Sequence, residues 1–350
     1  MRLALGHIEH FDDTIATFAH QLGLASVQLH TPTNLSGQGG VWSLAELVAL
    51  RELVESHGLV LEGLENVPSH HLDKVLAGLP GRDEQLENFQ RTICNCAEAG
   101  ITMLGYNFIV GYVWRTDVAA PGRGGARVTA FDIARVGEGN ALAGYKLHPG
   151  DALASPLSAE QVWENYRYFC DAIFPTAEAC GVRLALHPDD PPVDVPLGGA
   201  ARIFTSPAAL RAGFEAAGRS RAWGLDLCLG TVSEMGGEDA IAAVLADLAP
   251  QVFYVHFRDV QGTVPRFVEC FLGEGNYRPA RVLRWLHERG FDGFVIDDHV
   301  PAMLFDQATW VDVENLAYCS RGRAHAIGYL QGLLAALDDD EAHRTPTGGR

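Results

Sequence analysis

Short apolar runs, rich in β-branched and aromatic residues, alternate along the chain with segments in which apolar residues recur at helical spacing. Each run is nearly continuous in its apolar character, which is typical of parallel strands buried on both faces. The pattern predicts eight strands. They are Arg2–Gly6, Ser26–His30, Val60–Glu65, Thr102–Phe108, Arg183–His187, Gly224–Cys228, Val252–Arg258 and Gly293–Asp298.

The segments between these runs carry the start and stop signals of helices. Ser43 with Glu46 forms a capping box, Ser158 opens a similar segment, and Gly58 and Gly181 supply helix ends. The predicted helices are Phe11–Leu22, Ser43–His57, Gly81–Ala99, Ser158–Cys180, Ser206–Ala217, Glu238–Leu248, Arg278–Arg289 and Val313–Leu337.

Strand and helix thus alternate eight times, which predicts an α/β fold, a (β/α)8 TIM barrel formed as one domain by residues 1–337. A doubly wound open sheet is the alternative, but no Gly-x-Gly-x-x-Gly run follows the first strand.

Residues 109–156, after the fourth strand, carry little regular pattern. This long insertion would lie on the catalytic face, so we interpret it as a lid or a subunit contact, with a loose insertion as the alternative. Residues 338–350 are predicted to be a flexible tail.

Composition narrows the possible partners. The hydrophobic fraction of 47% over 350 residues is ample for a large core and excludes a wholly disordered chain. The 26 Lys and Arg residues against 44 Asp and Glu residues give a net charge of −18, which argues against binding nucleic acid or an anionic membrane. No run approaches the roughly 18 apolar residues of a membrane span.

Cysteine usage and the start of the chain indicate the compartment. Seven irregularly spaced cysteines give no disulfide framework, and we expect Cys94 and Cys96 to be buried thiols. The first apolar run is too short for a secretory signal. A reducing, cytoplasmic setting is therefore expected.

Candidate chemistry lies where the strands end. In a closed barrel the carboxyl ends of neighbouring strands converge, and here four successive strands end in the metal-ligating side chains of His187, Cys228, His256 and Asp298. Taken alone, each histidine could bond a backbone group and the cysteine could be a core residue. The presence of all four residue types at successive strand ends predicts a metal site. Alternation places Asp298 on the inward face and Asp297 on the other. Zn²⁺, Fe²⁺ and Mn²⁺ all suit these donors.

Longer motifs make the chain resemble the mannonate dehydratase family, over about residues 60 to 335. The first sixty residues show little similarity. The matching segments are Leu64–Pro68, Gly78–Asp83, Tyr106–Phe108, Trp114–Asp117, His187–Pro192 (HPDDPP), Cys228–Gly230, His256–Val260, Phe267–Glu269, Asp298–His299 and Tyr329–Leu333. HPDDPP, and YNF followed by WRTD, are the most specific.

The resemblance implies a fold and a reaction. The fold is a xylose isomerase-like TIM barrel. The reaction is that of a hydro-lyase, which converts D-mannonate, or a closely related sugar acid, to 2-keto-3-deoxy-D-gluconate with Mn²⁺ or Fe²⁺ bound by the four strand-end residues. Homo-oligomers are a further expectation, because the long insertion can reach a second subunit.

The resemblance also suggests roles for individual residues. His299, Asp298 and Tyr318 are candidates for the acid and the base of a dehydration. The candidates for binding the substrate are Arg115, Asn107, Arg258 and Arg323. Guanidinium groups match carboxylates in geometry. Alternatively, Arg258 pairs with an aspartate and Tyr318 only caps the core.

Two other functions stay open at this point. A metal-dependent sugar isomerase or epimerase of the xylose isomerase-like type shares the fold, and Glu65 at the end of the third strand favours it, although a cysteine ligand is unexpected there. A non-catalytic barrel that binds sugar acids is the second alternative, and the intact set of four ligands argues against it.

Overall fold

Eight parallel strands close into a barrel, which confirms the predicted fold class. The computed structural model describes residues 1–142, 155–306 and 318–344. The barrel strands are β1 (Arg2–Ile8), β2 (Ser26–His30), β3 (Val60–Glu65), β4 (Met103–Asn107), β7 (Arg183–His187), β8 (Trp223–Cys228), β9 (Val252–Phe257) and β12 (Phe294–Asp297). Neighbours follow chain order, and β12 closes the barrel on β1 with Arg2 opposite Phe294.

Helices cover the outside of the barrel. They are α1 (Asp13–Gln21), α2 (Leu44–Ser56), α3 (Asp73–Ala77), α4 (Arg82–Glu98), α5 (Ala159–Cys180), α6 (Pro207–Ala216), α7 (Leu229–Leu248), α8 (Pro279–Glu288) and α9 (Ser320–Arg344). Helix α7 starts directly after β8 and is interrupted at Gly236 and Gly237, so only its second part matches the predicted helix. Helix α9 continues past Leu337 to Arg344, so its described part includes residues assigned to the flexible tail.

A capping box is present at the start of α5, where the sequence predicts a helix that begins at Ser158. The Ser158 hydroxyl accepts a hydrogen bond from the Gln161 amide, and the Gln161 side chain accepts one from the Ser158 amide at 2.9 Å. We expect Ser158→Ala to lower the free energy of unfolding by about 1 kcal/mol, because an amide of the first turn loses its partner. Urea unfolding measures this. Ser56→Ala, at the exposed end of α2, is the control and should cost less than about 0.5 kcal/mol.

The long insertion is not as irregular as predicted. Its described part contains β5 (Asp117–Pro121) and β6 (Arg127–Asp132), which pair as an antiparallel hairpin. A second hairpin, β10 (Asp259–Thr263) and β11 (Arg266–Cys270), follows barrel strand β9, and β6 pairs with β11. The resulting four-stranded sheet, which we call the cap sheet, lies at the end of the barrel where the candidate chemistry was predicted. Residues 143–154 lie outside the described part of the chain.

The two hairpins are also joined by apolar packing. Phe131 of the insertion and Phe267 of the second hairpin stack with their ring centroids 5.8 Å apart. Both are buried in one small cluster with Val193, Leu197 and Val260. The cap sheet therefore has its own hydrophobic contacts with the loop that follows β7.

Inside the barrel, a glycine makes room for a polar network that reaches the strand ends. A Cβ at Gly105 would collide with the hydroxyl of Tyr254. That hydroxyl donates to Glu65 Oε2 at 3.1 Å. Gly105 thus allows a buried tyrosine to anchor a carboxylate beneath the candidate site.

One cysteine expectation is wrong. Cys94 of α4 and Cys180 of α5 form a disulfide with their Cα atoms 5.6 Å apart, so Cys94 is not a plain thiol. The two residues are far apart in sequence, and only the packing of α4 against α5 brings them together. Cys96 is a buried thiol, as expected. None of the helices in the described segments is both long enough and apolar enough to cross a membrane.

Candidate active site

The four predicted metal ligands lie close together at the barrel mouth. The ligand atoms of His187, Cys228 and His256 all lie within 4.8 Å of one another. Asp298 joins them, with its Oδ2 atom 3.7 Å from Cys228 Sγ and 3.8 Å from His256 Nδ1. Adjacent Asp297 points elsewhere and accepts from Arg323 at 2.8 Å, as the alternation of a strand requires.

Hydrogen bonds on the far side of each imidazole orient the histidines toward this point. His187 Nδ1 lies 2.7 Å from the Pro188 carbonyl oxygen and donates to it, so Nε2 is the nitrogen left for a ligand. His256 Nε2 lies 3.1 Å from Glu65 Oε2 and 3.3 Å from Asp226 Oδ1. His256 Nδ1 is buried without a hydrogen-bond partner in the described residues. Such carboxylate-backed imidazoles are typical of metal ligands.

The local fold prepares Cys228 as a thiolate. It ends β8 and caps the N-terminus of α7, where its Sγ atom accepts from the amide and the hydroxyl of Thr231. Burial favours the neutral thiol, but the positive charge of Arg258, 3.5 Å away, outweighs it together with the neighbouring imidazoles of His187 and His256. The pKa of Cys228 is therefore held well below its usual value, and a thiolate is the form that binds metal.

The donor set fits a divalent metal ion. Burial also opposes charge on Asp298, but His299, His256 and Arg258 lower the pKa of its carboxyl. A thiolate, a carboxylate and two imidazole rings therefore lie close together, and the buried His256 Nδ1 atom has no hydrogen-bond partner among the described residues. These donors suit Zn²⁺, Fe²⁺ or Mn²⁺.

Arg258 lies directly behind the ligands and is surrounded mainly by acidic groups. Its terminal nitrogens are 2.8 Å from Glu269, 3.1 Å from Asp190 and 3.2 Å from Glu234, and its Nε atom is 3.5 Å from Asp298. This arrangement matches the structural alternative weighed for Arg258. A direct contact with substrate stays a prediction.

Arg115 connects the insertion to the barrel. Its guanidinium is fully buried and donates to both oxygens of Asp190, at 2.6 and 2.8 Å, and to Glu269 at 3.1 Å. Burial alone would raise the pKa of Asp190, but Arg115 and Arg258 outweigh it and lower that pKa to about 2. Because protein acceptors surround Arg115, its expected contact with a substrate carboxylate stays a prediction.

Two proton-transfer candidates flank Asp298. The Tyr318 hydroxyl donates to Asp298 Oδ1 at 3.0 Å. His299 Nε2 lies 3.8 Å from the same oxygen, while its Nδ1 atom bonds Glu269 at 2.7 Å. The His299 side chain is 20% exposed, so it is accessible from the mouth of the barrel.

The two remaining substrate-binding candidates lie at the edge of the site. Arg323 is buried, binds Asp297 and the Gly6 carbonyl, and lies 5.7 Å from the centre of the Tyr318 ring. Asn107, at the end of β4, donates to Asn66 Oδ1 at 3.0 Å. None of these contacts involves one of the four predicted metal ligands. The roles of Arg323 and Asn107 in substrate binding therefore also stay predictions.

Sequence reasoning missed the supporting carboxylates. Glu269 and Asp190 fall inside motifs quoted for the family resemblance, but nothing in their spacing reveals that both bind Arg115. In the sequence, Glu65 favours the isomerase alternative. In the structure it accepts hydrogen bonds from His256, Gln28 and Tyr254, behind the predicted metal ligands. Its position at the end of barrel strand β3 was the available signal.

The closed parallel barrel and the cluster of histidine, cysteine and aspartate at its strand ends define a TIM-barrel enzyme whose site is suited to a divalent metal. A model of the D-mannonate dehydratase (UxuA) family matches residues 23–344, and the chain therefore belongs to this family. Membership places it among the hydro-lyases.

Individual relatives agree. Mannonate dehydratase of Streptococcus agalactiae is 31% identical over 85% of this chain and 88% of its own length. That of Geobacillus thermodenitrificans is 28% identical over 92% and 90%. The crystal structure of mannonate dehydratase from Streptococcus suis superposes with a TM-score of 0.77 at 25% identity, covering 95% of this chain and 94% of that one. A xylose isomerase domain protein from Planctomyces limnophilus, 15% identical with a TM-score of 0.58, shares the fold.

Proposed function

We propose that this chain removes water from D-mannonate, with Mn²⁺ or Fe²⁺ held by His187, Cys228, His256 and Asp298. The observation that carries the proposal is the cluster of His187, Cys228 and His256, with Asp298 3.7 Å from Cys228 and 3.8 Å from His256, in a member of the D-mannonate dehydratase family. A divalent ion bound there supplies positive charge to stabilise the negative charge that develops on the substrate when its α-proton is lost.

His299 and Tyr318 are the proposed proton-transfer groups. Dehydration of a sugar acid needs a base for the proton next to the carboxylate and an acid for the departing hydroxyl. The two side chains lie on either side of Asp298, with polar atoms 3.8 and 3.0 Å from its Oδ1 atom. A substrate seated beside that carboxylate therefore meets both groups.

Arg258 is proposed as a positioning residue. It lies within 3.5 Å of both Cys228 and Asp298, and its other donors are held by Glu269, Asp190 and Thr231. It therefore fixes two ligands and keeps them ionised. Cytoplasmic location and association into homo-oligomers stay predictions for this enzyme.

The proposal is tested by incubating the purified chain with Mn²⁺ or Fe²⁺ and a panel of six-carbon aldonates that includes D-mannonate. We expect D-mannonate to give a 2-keto-3-deoxy acid. If no aldonate reacts while one metal ion is bound per chain, the dehydratase proposal fails and the metal proposal stands. Conversion of neutral sugars alone would favour the isomerase.

Glu269 offers a second test, because it fixes the ring of His299. Glu269→Gln removes the charge that holds Nδ1–H of His299, so we expect kcat for D-mannonate to fall by about 10- to 100-fold. KM should change far less, since Glu269 lies behind the imidazole. Steady-state kinetics measures both constants.

The matched control is Glu274→Gln. Glu274 lies near the same hairpin and pairs with exposed Arg123, so its loss should leave kcat within about twofold. An equal fall in kcat for both variants, or an unchanged kcat for Glu269→Gln, would contradict the role given to Glu269.

A further inference from the structure

Three polar side chains form a second cluster in the barrel mouth, apart from the four proposed metal ligands. They are His7 and Glu9, at the end of β1, and His30, at the end of β2, and their ligand atoms lie within 4.8 Å of one another. We call this group the β1–β2 cluster. Like the metal ligands, it lies at the carboxyl ends of barrel strands, where ligands bind in this fold.

Ring stacking joins this cluster to the proposed catalytic groups. The His7 ring stacks on Tyr318 with a centroid distance of 3.8 Å and an interplanar angle of 5°, and on His30 at 4.1 Å. Because the Tyr318 hydroxyl bonds Asp298, the cluster begins one side chain away from the metal centre. A ligand whose reacting end is at the metal and that extends along Tyr318 reaches His7.

The predicted substrate residue Asn107 leads to the same cluster. Asn107 donates to Asn66, and the Asn66 amide lies 2.8 Å from His30 Nε2. Asn66 has a positive φ of 55°, which non-glycine residues adopt mainly where function or local bonding holds them. The polar wall from Asn107 to His30 is thus continuous.

The backbone of β1 is shaped to present His7. Pairing of β1 with β2 is irregular between Leu5 and Ile8, and His7 has a φ of 47°. Strand irregularities of this kind redirect a side chain and occur beside active sites. The His7 amide donates to Gln28 at 3.2 Å, which holds the turn in place. The side chains of His7 and Glu9 are 14% and 31% exposed, so a ligand in the mouth can reach them.

We propose that the β1–β2 cluster binds the hydroxyl groups of the sugar-acid chain that are farthest from the metal, and so sets which aldonates fit. This inference rests on the proposed function. Imidazole nitrogens and a carboxylate supply the donors and acceptors that hydroxyl groups need. The match to the D-mannonate dehydratase family begins at residue 23, after β1. His7 and Glu9 of the β1–β2 cluster therefore lie in a part of the barrel mouth that this match does not cover.

The test compares a long and a short ligand. Calorimetry on the Mn²⁺-loaded His299→Gln variant, in which the proposed proton transfer is blocked so that the ligand is bound and not converted, measures binding of D-mannonate and of the four-carbon aldonate with the same configuration at C2 and C3. His7→Phe keeps a ring against Tyr318 but removes the nitrogens, and Glu9→Gln keeps the size but removes the charge. We expect each variant to weaken binding of D-mannonate by about tenfold and to leave the four-carbon ligand within twofold.

His10→Phe is the matched control, since exposed His10 bonds Thr33 at 3.0 Å outside the cluster. It should leave both affinities unchanged. Equal weakening of both ligands in His7→Phe, or no weakening of either, overturns the inference, and so does a second bound metal ion that His7→Phe removes. Failure of the proposed function is separate, because it appears as an absence of turnover in the wild-type chain.

Discussion

Cys228→Ala is expected to abolish stoichiometric metal binding and to lower turnover of D-mannonate by about a thousandfold or more. The substitution removes the only sulfur ligand in the proposed set and leaves His187, His256 and Asp298 around a void. It also leaves Arg258 without the thiolate that lies 3.5 Å from it. Metal per chain, measured by mass spectrometry after dialysis, and formation of the 2-keto-3-deoxy acid give the two readouts.

Cys96→Ala is the matched control for this prediction. Cys96 is also a buried free thiol, but it lies in α4 on the outside of the barrel. Its loss costs some stability through the cavity it leaves, while metal content and turnover should be unchanged. If Cys228→Ala keeps a full equivalent of metal, Cys228 is not a ligand and the proposed site must be revised.

Arg115→Met is expected to lower the free energy of unfolding by about 3–5 kcal/mol. Removing one partner of a fully buried ion pair leaves uncompensated charge in the interior. Here the buried carboxylates of Asp190 and Glu269 would both lose a donor and would have to share the single positive charge of Arg258. Denaturant unfolding monitored by circular dichroism measures the loss.

Two further variants test whether the lost stability comes from the buried charge of Arg115. Arg266→Met removes an arginine from the same cap sheet, but that arginine is 75% exposed and 3.6 Å from Asp132, so little stability should be lost. Adding Asp190→Asn to Arg115→Met should recover part of the loss, because one buried charge is removed with its partner. The interpretation fails if Arg266→Met costs as much as Arg115→Met.

The barrel and the clustering of the four strand-end side chains could be predicted from the sequence because both follow from local patterns. Each strand is a short apolar run whose end is visible, and closure of a parallel barrel brings the ends together whatever the loops contain. That is why His187, Cys228, His256 and Asp298 could be grouped without a structure. The choice of Asp298 over Asp297 needed only the alternation of side chains along a strand.

The cap sheet could not be predicted in this way. β5 and β6 are short, and their neighbour β11 comes from a different loop of the barrel. The partners of Arg115 are likewise distant in sequence, at Asp190 and Glu269. No local periodicity encodes such pairings. The same holds for the β1–β2 cluster, where stacking of His7 on Tyr318 joins the first strand to the last helix region.

The cap sheet is built from two separate loops of the barrel, and this has a consequence for the order of folding. Pairing of β6 with β11 joins two loops that only the intervening barrel strands bring together. Closing these loops costs conformational entropy, so we expect the pairing to form after the barrel. Glu269, which holds His299, lies on β11. In refolding, the barrel should therefore regain its circular dichroism before catalytic turnover appears. The delay between the two signals would report the docking of the two hairpins.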